Sequence, residues 1–204
     1  MNLAVIIGAI IIIGIAAFFF VRLKSNGPSV LHLGPIIGGR NYTKGVTLEG
    51  RSFKFPYPHR DAGHVHALVQ PVQSVAGKLT CKWSIAANAG TTIHPQESPD
   101  AVGEISLMIQ RKGDDYNAKG KREFYRLYAP GPQFMKLGNG EMTAELTPAG
   151  WIGVFGIEPT QAQFDDVMQN VATIQLCFGG GGSRAHGVYS SAPATFTLIE
   201  LAAN

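Results

Sequence analysis

Apolar and polar residues alternate along several segments of this 204-residue chain, and this alternation restricts its fold more than any other feature. Along Lys78–Ala86 the apolar side chains fall at every second position: Leu79, Cys81, Trp83 and Ile85. Ala194–Leu201 repeats the pattern, with Phe196, Leu198 and Glu200 opposite Thr195, Thr197 and Ile199. A period of two places one face of a strand against a core and the other in water, as in antiparallel sheets.

Turn-forming residues separate such segments at intervals of roughly 8–12 residues, which favours a mainly β, antiparallel β-sandwich. The segments predicted as strands are Val46–Phe55, His64–Pro71, Lys78–Ala86, Glu104–Arg111, Glu123–Ala129, Gln133–Lys136, Glu141–Leu146, Trp151–Phe155, Thr173–Cys177 and Ala194–Leu201. One short helix is predicted at Thr160–Asn170, because Pro159 precedes it and Thr160 and Gln163 form a capping-box pattern.

The segment Leu3–Val21 contains no charged or strongly polar side chain. As a helix it would be about 28 Å long, close to the thickness of the hydrocarbon layer. Arg22 and Lys24 follow it and can reach lipid headgroups. A cleavable signal peptide is the alternative, but it requires a basic region before the apolar run and small residues at its end. The sequence therefore predicts a single N-terminal transmembrane helix, retained as a signal anchor over residues 1–24.

Basic residues dominate the stretch that follows the apolar segment. They are Arg22, Lys24, Arg40, Lys44, Arg51 and Lys54, against the single acid Glu49. By the positive-inside rule the domain would lie on the cytoplasmic side; the alternative is a signal anchor that exports it. Cys81 and Cys177 do not decide between them, since they could form one disulfide or remain buried thiols.

The rest of the chain divides into a linker and one domain. Residues 25–40 contain several Gly and Pro residues with little periodicity, which predicts a linker. Residues 41–204 are then long enough for one β-sandwich domain. Charged residues make up only 15% of the chain, and part of this deficit is due to the apolar segment.

Two stretches near the end of the chain carry a resemblance to a known fold family. The segment Ile174–Tyr189 (IQLCFGGGGSRAHGVY), followed by Ala194–Leu198 (ATFTL), resembles the end of galactose-binding-like jelly rolls. There a strand crosses the sheet, a Gly-rich loop follows, and a final strand closes the sandwich. Phe53–His66 is similar to uncharacterised membrane-anchored proteins of bacterial and phage genomes. The resemblance implies a jelly-roll-like β-sandwich and brings no catalytic residue with it.

The histidine-rich segment between Pro56 and His66 is a candidate metal site. His64 and His66 are two residues apart, so their side chains would share one face of a strand. Neutral imidazoles so placed can bind a divalent metal, and His59 and Asp61 could complete the ligand set. The alternative is a polar edge at which a loop enters a strand, with Arg60 and Asp61 paired locally.

A second candidate site combines basic and aromatic residues between Gln110 and Tyr128, where cations beside tyrosine rings could bind phosphates and stack on bases or sugars. The alternative is a solvated hairpin loop between two strands. The residues predicted to bind a ligand are Arg60, Tyr116, Arg122, Tyr125 and His186.

No motif in the chain predicts a catalytic residue. The run Gly179–Gly182 is similar to phosphate-binding loops but lacks the Lys-Ser/Thr pair and a following helix, so a tight crossover is the simpler interpretation. There is no Gly-x-Ser-x-Gly elbow. The adjacent acids Asp114-Asp115 and Asp165-Asp166 are not spaced like a glycosidase pair. Beyond a divalent metal, no cofactor is predicted.

The sequence favours the first of three functions, and the other two are alternatives. The first is a membrane-anchored, non-enzymatic structural or binding module, such as a minor phage virion protein that links a lipid membrane to a capsid. Its partners would be the bilayer and capsid or envelope proteins, at the host cytoplasmic membrane or in the virion. The second is a carbohydrate-binding module at the bacterial cell envelope, with a glycan partner. The third is a metal-dependent hydrolase. A net charge of +3 does not indicate nucleic-acid binding.

Overall fold

The computed structural model describes residues 30–180 and 184–203, which form two antiparallel sheets and two short strand pairs. The six-stranded sheet contains β1 (His32–Gly34), β5 (Ala67–Pro71), β8 (Glu104–Arg111), β9 (Arg126–Tyr128), β10 (Gln133–Phe134) and β12 (Val171–Gly179). The four-stranded sheet contains β4 (Ser52–Lys54), β6 (Lys78–Ala87), β11 (Gly138–Glu145) and β14 (Ala194–Ala203). The short pairs are β2 (Ile36–Ile37) with β3 (Arg40–Asn41), and β7 (Ile93–Pro95) with β13 (Val188–Ser190).

The inner faces of the two sheets share one hydrophobic core. The ring of Phe178 in β12 lies 5.3 Å from that of Phe196 in β14 and 5.7 Å from that of Phe53 in β4, measured between centroids. Trp151, in a loop, is fully buried in the same core and donates its indole N–H to the carbonyl of Glu145. Aromatic contacts between strands that are distant in sequence thus hold the sheets face to face, and the mainly β sandwich predicted from the alternation is confirmed.

The clearest sequence patterns correspond to real elements. β6 pairs with both β11 and β14 along its length, and its four alternating apolar side chains are buried. Helix α1 (Gln161–Gln169) lies within the predicted range. Thr160 Oγ1 accepts from the backbone N–H of Gln163, and Gln163 Oε1 accepts from that of Thr160, so the capping box is formed. Phe164 and Val167 bury the apolar stripe of the helix.

A β-bulge changes the pattern predicted for the last strand. The pairing of β14 with β6 shifts between Leu198 and Glu200, so the inward-facing positions move by one residue. Leu201 is therefore buried, whereas strict alternation places Glu200 on the inner face and Leu201 on the outer one; Ile199 is exposed, as alternation predicts. One extra residue in a strand reverses every later side chain, and sequence alternation alone does not locate it.

Glycine turns shorten two of the predicted strands. Val46–Phe55 contracts to β4, because Gly50 adopts a positive φ and the chain turns back between Glu49 and Ser52. Trp151–Phe155 reduces to one bridge between Ile152 and Tyr128, since Gly153 and Gly156 form a tight turn. The first half of Glu123–Ala129 belongs to a 3-10 turn instead (Gly120–Tyr125).

The start of the domain differs from the predicted boundary. Within the segment predicted as a linker, residues 25–40, β1 pairs with β5 and forms the edge of the six-stranded sheet. The predicted transmembrane helix and the basic pair at Arg22 and Lys24 lie outside the described residues. In residues 30–180 and 184–203, no helix has the length and apolar character that crossing a membrane requires.

Both cysteines are free thiols buried in different parts of the sandwich. Cys81 belongs to the central core, whereas Cys177 lies on the outer face of the six-stranded sheet. Burial raises the pKa of each thiol to about 12, because the low-dielectric surroundings penalise the thiolate. Of the two alternatives that the sequence leaves open, the structure has the buried thiols.

Substituting Gly140 by alanine is expected to destabilise the sandwich by about 1–3 kcal/mol. Gly140 lies opposite Trp83, and a Cβ there would lie 2.6 Å from Trp83 Nε1 and overlap the indole ring. Its φ is not positive, so alanine would otherwise be neutral or favourable in this strand. Urea denaturation measures the change. In a Trp83→Leu background the penalty should largely disappear; an equal penalty in both backgrounds would contradict the steric explanation.

Candidate functional site

A groove with a volume of about 790 Å³ lies on the outer face of the six-stranded sheet. The strand register places its floor in rows that cross the sheet. One row runs from Val69 through Gln175 and Met108 to Tyr128, and the adjacent row contains Thr173, Gln110 and Arg126. An antiparallel sheet usually presents such a face to water, but here much of it is covered.

The floor combines apolar and polar side chains in alternate positions of buried strands. In β12, Ile174 and Leu176 belong to the core, whereas Gln175 and Cys177 lie on the outer face. Gln175 is nevertheless only 1% exposed, because loops rise around the groove on both sides. A second apolar cluster, separate from the core, forms the rest of this face: Ala67, Val69, Met108, Tyr128 and Cys177.

Hydrogen bonds fix the amide groups of the floor. Gln175 Nε2 donates to Gln110 Oε1 over 2.8 Å and to Thr173 Oγ1 over 2.9 Å. Gln110 Nε2 donates in turn to Asp114 Oδ2 over 2.9 Å, and Thr173 Oγ1 donates to Gln110 Oε1. Because each amide is held by its neighbours, the floor presents polar atoms in fixed positions at small entropic cost to a ligand.

A buried ion pair closes one end of the groove. Arg126 Nε lies 3.1 Å from Asp114 Oδ2 without hydrogen-bond geometry, and the two side chains are only 10% and 0% exposed. The Arg126 guanidinium carbon lies 4.7 Å from the ring centroid of Tyr116. Tyr116 has a φ of 62°, which is unusual for an aromatic residue, and Asp114 Oδ1 holds its backbone N–H over 3.0 Å. Burial raises the pKa of Tyr116.

Aromatic residues and an arginine also line the groove at its centre. The Arg184 guanidinium lies 5.6 Å from the ring centroid of Tyr128, and both residues line the groove. Burial raises the pKa of Tyr128, so this phenol stays neutral and can both donate and accept a hydrogen bond. The groove therefore carries a cation beside the ring of Tyr128.

Two loops form the long walls of the groove. On one side, Tyr42 is held by its N–H bond to Pro35 O, and Thr43 Oγ1 donates to Gly34 O. On the other side, Phe155 is 67% exposed at the tip of a turn closed by the Gly153 N–H bond to Ile157 O. The two walls thus present aromatic rings from segments more than a hundred residues apart in sequence.

An exposed pair lies at the other end of β12 from Tyr116: Tyr116 lies beside Thr173 at the start of this strand, whereas the Gly187 N–H, next to His186, donates to Phe178 O near its end. His186 Nδ1 lies 2.6 Å from Glu97 Oε1, and these side chains are 54% and 51% exposed. Glu104 and Gln96 line the same end. Among the described residues, this rim is open to solvent, in contrast to the buried wall at Tyr116.

His64 and His66 lie together beneath one wall. Their ring centroids are 4.6 Å apart, and the His66 Nδ1 lies 2.8 Å from the carbonyl of Ala185. Burial lowers the pKa of His66 to about 4 and also lowers the pKa of His64. His66 Nδ1 therefore carries the proton of a neutral ring, and its buried Nε2 has no hydrogen-bond partner in the described part of the chain.

The structure divides the predicted metal ligands into two pairs. His59 and Asp61 form a separate pair, 4.0 Å apart and largely exposed, beside a 3-10 turn (Arg60–Ala62). In residues 30–180 and 184–203, no three His, Cys, Asp or Glu side chains are arranged to hold a metal ion. The observed pairs thus give no support to a four-residue site.

Two of the five predicted ligand-binding residues line the groove, at its opposite ends: Tyr116 and His186. The other three do not line it. Arg122 pairs with Asp115 in the neighbouring loop, and Arg111 covers the ring of Tyr125 while pairing with Asp166. Arg60 lies exposed in the 3-10 turn. The basic and aromatic segment is therefore partly a set of local ion pairs.

The sequence predictions missed most of the floor. The residues concerned are Arg126, Tyr128, Gln175 and Arg184, together with Gln110, which holds Gln175 from a neighbouring cavity. One sequence signal could have found them. Gln175 is a long polar side chain inside the otherwise apolar run Ile174–Phe178, and it would not remain buried unless its amide were hydrogen-bonded.

The Gly-rich segment packs closely against β7, as the sequence predicts for a tight crossover. At Gly180 a Cβ would lie only 2.7 Å from Pro95 Cγ.

Comparisons with known proteins give structural neighbours but no family. No protein-family model matches the chain, and no curated protein sequence matches it. The L4b domain of human laminin alpha-2 aligns at 13% identity over 89% of this chain and 96% of that chain, with a TM-score of 0.42. The xylan-binding module CBM15 aligns at 11% identity over 85% and 99% respectively, with a TM-score of 0.31. At these identities and TM-scores, neither assigns a function to this chain.

Proposed function

We propose that the domain is a carbohydrate-binding module whose ligand lies in the groove on the six-stranded sheet. The observation that carries the proposal is the composition of this groove. Aromatic rings stand on both walls and at one end, while hydrogen-bonded amides and arginines lie between them. Its volume is within the range of ligand-binding clefts in proteins.

A sugar chain matches these surfaces chemically. Each pyranose has apolar C–H faces, which pack on aromatic rings such as Tyr42 and Phe155, and a rim of hydroxyl groups. Hydroxyl groups donate and accept hydrogen bonds, as do the phenol of Tyr128 and the amide of Gln96, which both line the groove. The amide of Gln175 is already held by Gln110 and Thr173 and fixes the floor beneath the ligand.

The carboxylates of the groove favour binding over hydrolysis. A glycosidase needs one carboxylic acid and one carboxylate on either side of the scissile bond. Here Asp114 is paired with Arg126 and Glu97 with His186. Glu104 also lines the groove, at the same end as Glu97, and we propose binding and no reaction for this site.

We also propose that Leu3–Val21 anchors the domain in a membrane. Residues 22–31 then separate the anchor from β1, and a fully extended segment of this length spans no more than about 35 Å. With the anchor in the exporting orientation, which is the alternative to the cytoplasmic side favoured by the positive-inside rule, the groove would bind envelope glycans close to the bilayer surface. Neither the described residues nor the comparisons support the virion function that the sequence favoured.

The test is glycan binding by the full-length chain in a detergent without sugar headgroups. An array of bacterial and plant polysaccharides identifies ligands, and isothermal titration gives their dissociation constants. Phe155→Ala should weaken binding roughly three- to tenfold through the loss of one stacking ring. Phe134→Ala is the matched control, because Phe134 is 59% exposed but does not line the groove. No binding on the array at millimolar sugar, or equal effects of both variants, would contradict the proposal.

A further inference from the structure

We infer that the groove binds the terminal sugar of a glycan chain, with the chain end against Tyr116, and not an internal segment. This inference rests on the proposed function and adds the class of ligand. It follows from the difference between the two ends of the groove: one is the half-buried Tyr116 backed by the buried Arg126–Asp114 pair, and the other is a solvent-exposed rim.

Tyr116 is a partition between two cavities. It lines the groove and also a second cavity of about 220 Å³, whose other lining residues include Gln110, Lys112 and Thr173. The floor row of Thr173, Gln110 and Arg126 passes beneath this partition. A chain lying in the groove therefore meets the tyrosine where the sheet itself would allow it to continue.

Independent contacts fix the partition in place. Asp114 Oδ1 holds the Tyr116 backbone N–H in the left-handed conformation, and Asp114 Oδ2 accepts from Gln110 Nε2. The Arg126 guanidinium packs against the tyrosine ring, and its own charge is paired with Asp114. Moving the ring aside would expose this buried pair, so a ligand is expected to stop at the wall and not to displace it.

The opposite end allows the rest of the chain to leave. Its boundary among the described residues is the exposed His186–Glu97 pair, which lies at the surface. Sugars beyond the groove can pass this pair into solvent without burying it. The ligand thus has one enclosed terminus and one free direction, which is the geometry of chain-end recognition.

The first test uses the unaltered full-length protein and measures binding capacity against chain length. The probes are xylan, cellulose-derived and chitin-derived chains, cleaved in graded steps from polymer to disaccharide. If only chain ends bind, halving the mean chain length doubles the moles of protein bound per gram of probe. A capacity that is independent of chain length would overturn the inference while leaving the proposed function intact. No binding to any probe, with a negative array, would overturn both.

The second test opens the wall. Tyr116→Gly removes the ring and keeps the positive φ that glycine adopts freely. Tyr116→Phe keeps the ring and removes only the hydroxyl, which contacts Gln110 and Gln175, so it separates the loss of these contacts from the loss of the wall. In the glycine variant the groove joins the second cavity, so internal segments of a chain can also bind. The moles of protein bound per gram of long polymer should therefore rise severalfold. The phenylalanine variant should keep the chain-end dependence. The role of Tyr116 would be contradicted if the glycine variant folds and binds the disaccharide but its binding capacity still doubles when the mean chain length is halved.

Discussion

Asp114→Asn should lower the free energy of unfolding by about 3–5 kcal/mol, the range for breaking a buried ion pair by removing one partner. The Asp114 side chain is completely buried and holds three groups at once: Gln110 Nε2, the Tyr116 N–H and the Arg126 guanidinium. Asparagine keeps the shape but removes the charge, which leaves Arg126 buried beside a neutral amide. The loss should appear in urea denaturation at neutral pH.

The neighbouring carboxylate provides the matched control. Asp115 pairs with Arg122 and accepts the Asn117 N–H, but it lies at the surface, so Asp115→Asn should change stability much less. The double variant Asp114→Asn with Arg126→Met should recover a large part of the loss, because no unpaired charge stays buried and the asparagine still accepts from the Tyr116 N–H. Equal effects of Asp114→Asn and Asp115→Asn would show that burial of the pair does not determine its contribution.

Local patterns in the sequence predicted the elements whose stability is largely local. The alternation of Lys78–Ala86 and the cap formed by Thr160 and Gln163 each depend on residues within one element, and the structure has both. The bulge at Leu198 and the turn at Gly50 depend on pairing with other strands, which no short window contains. The predicted strands are consequently right in position more often than in length.

The groove was only partly predictable, for a related reason. Alternation identifies which side chains leave the core, but not which loops cover them. Tyr42, Tyr116 and Phe155 come from three distant loops, and only the folded sheet brings them around Gln175. Tyr116 and His186 were predicted from residue type alone. Arg122 has the same residue-type signal but is paired with Asp115 outside the groove, and nothing local distinguishes the two cases.

Acidification from pH 6.5 to 4 should destabilise the domain through His66, by an amount on the order of 3 kcal/mol. Burial lowers the pKa of this histidine to about 4, and its hydrogen bond to Ala185 O opposes the shift only in part. Between the two pKa values the unfolded chain binds a proton that the folded domain does not. Stability therefore rises with pH in this window; it is fully present above about 6.5 and is lost as the pH falls towards 4.

Charged and titratable groups around the His66 ring both raise and lower its pKa. His64 and His186 disfavour the protonated His66, while Glu97 favours it, and Lys44 lowers the pKa of His64. His66→Asn keeps an N–H donor near the Ala185 carbonyl but cannot titrate, so the slope of unfolding free energy between pH 4 and 6.5 should fall by close to one proton. His59→Asn removes an exposed histidine as the control. NMR titration of the His66 ring measures the same quantity directly. A ring that protonates near pH 6.5 in the folded protein would contradict the prediction, because it would mean that the folded site does not exclude the charge.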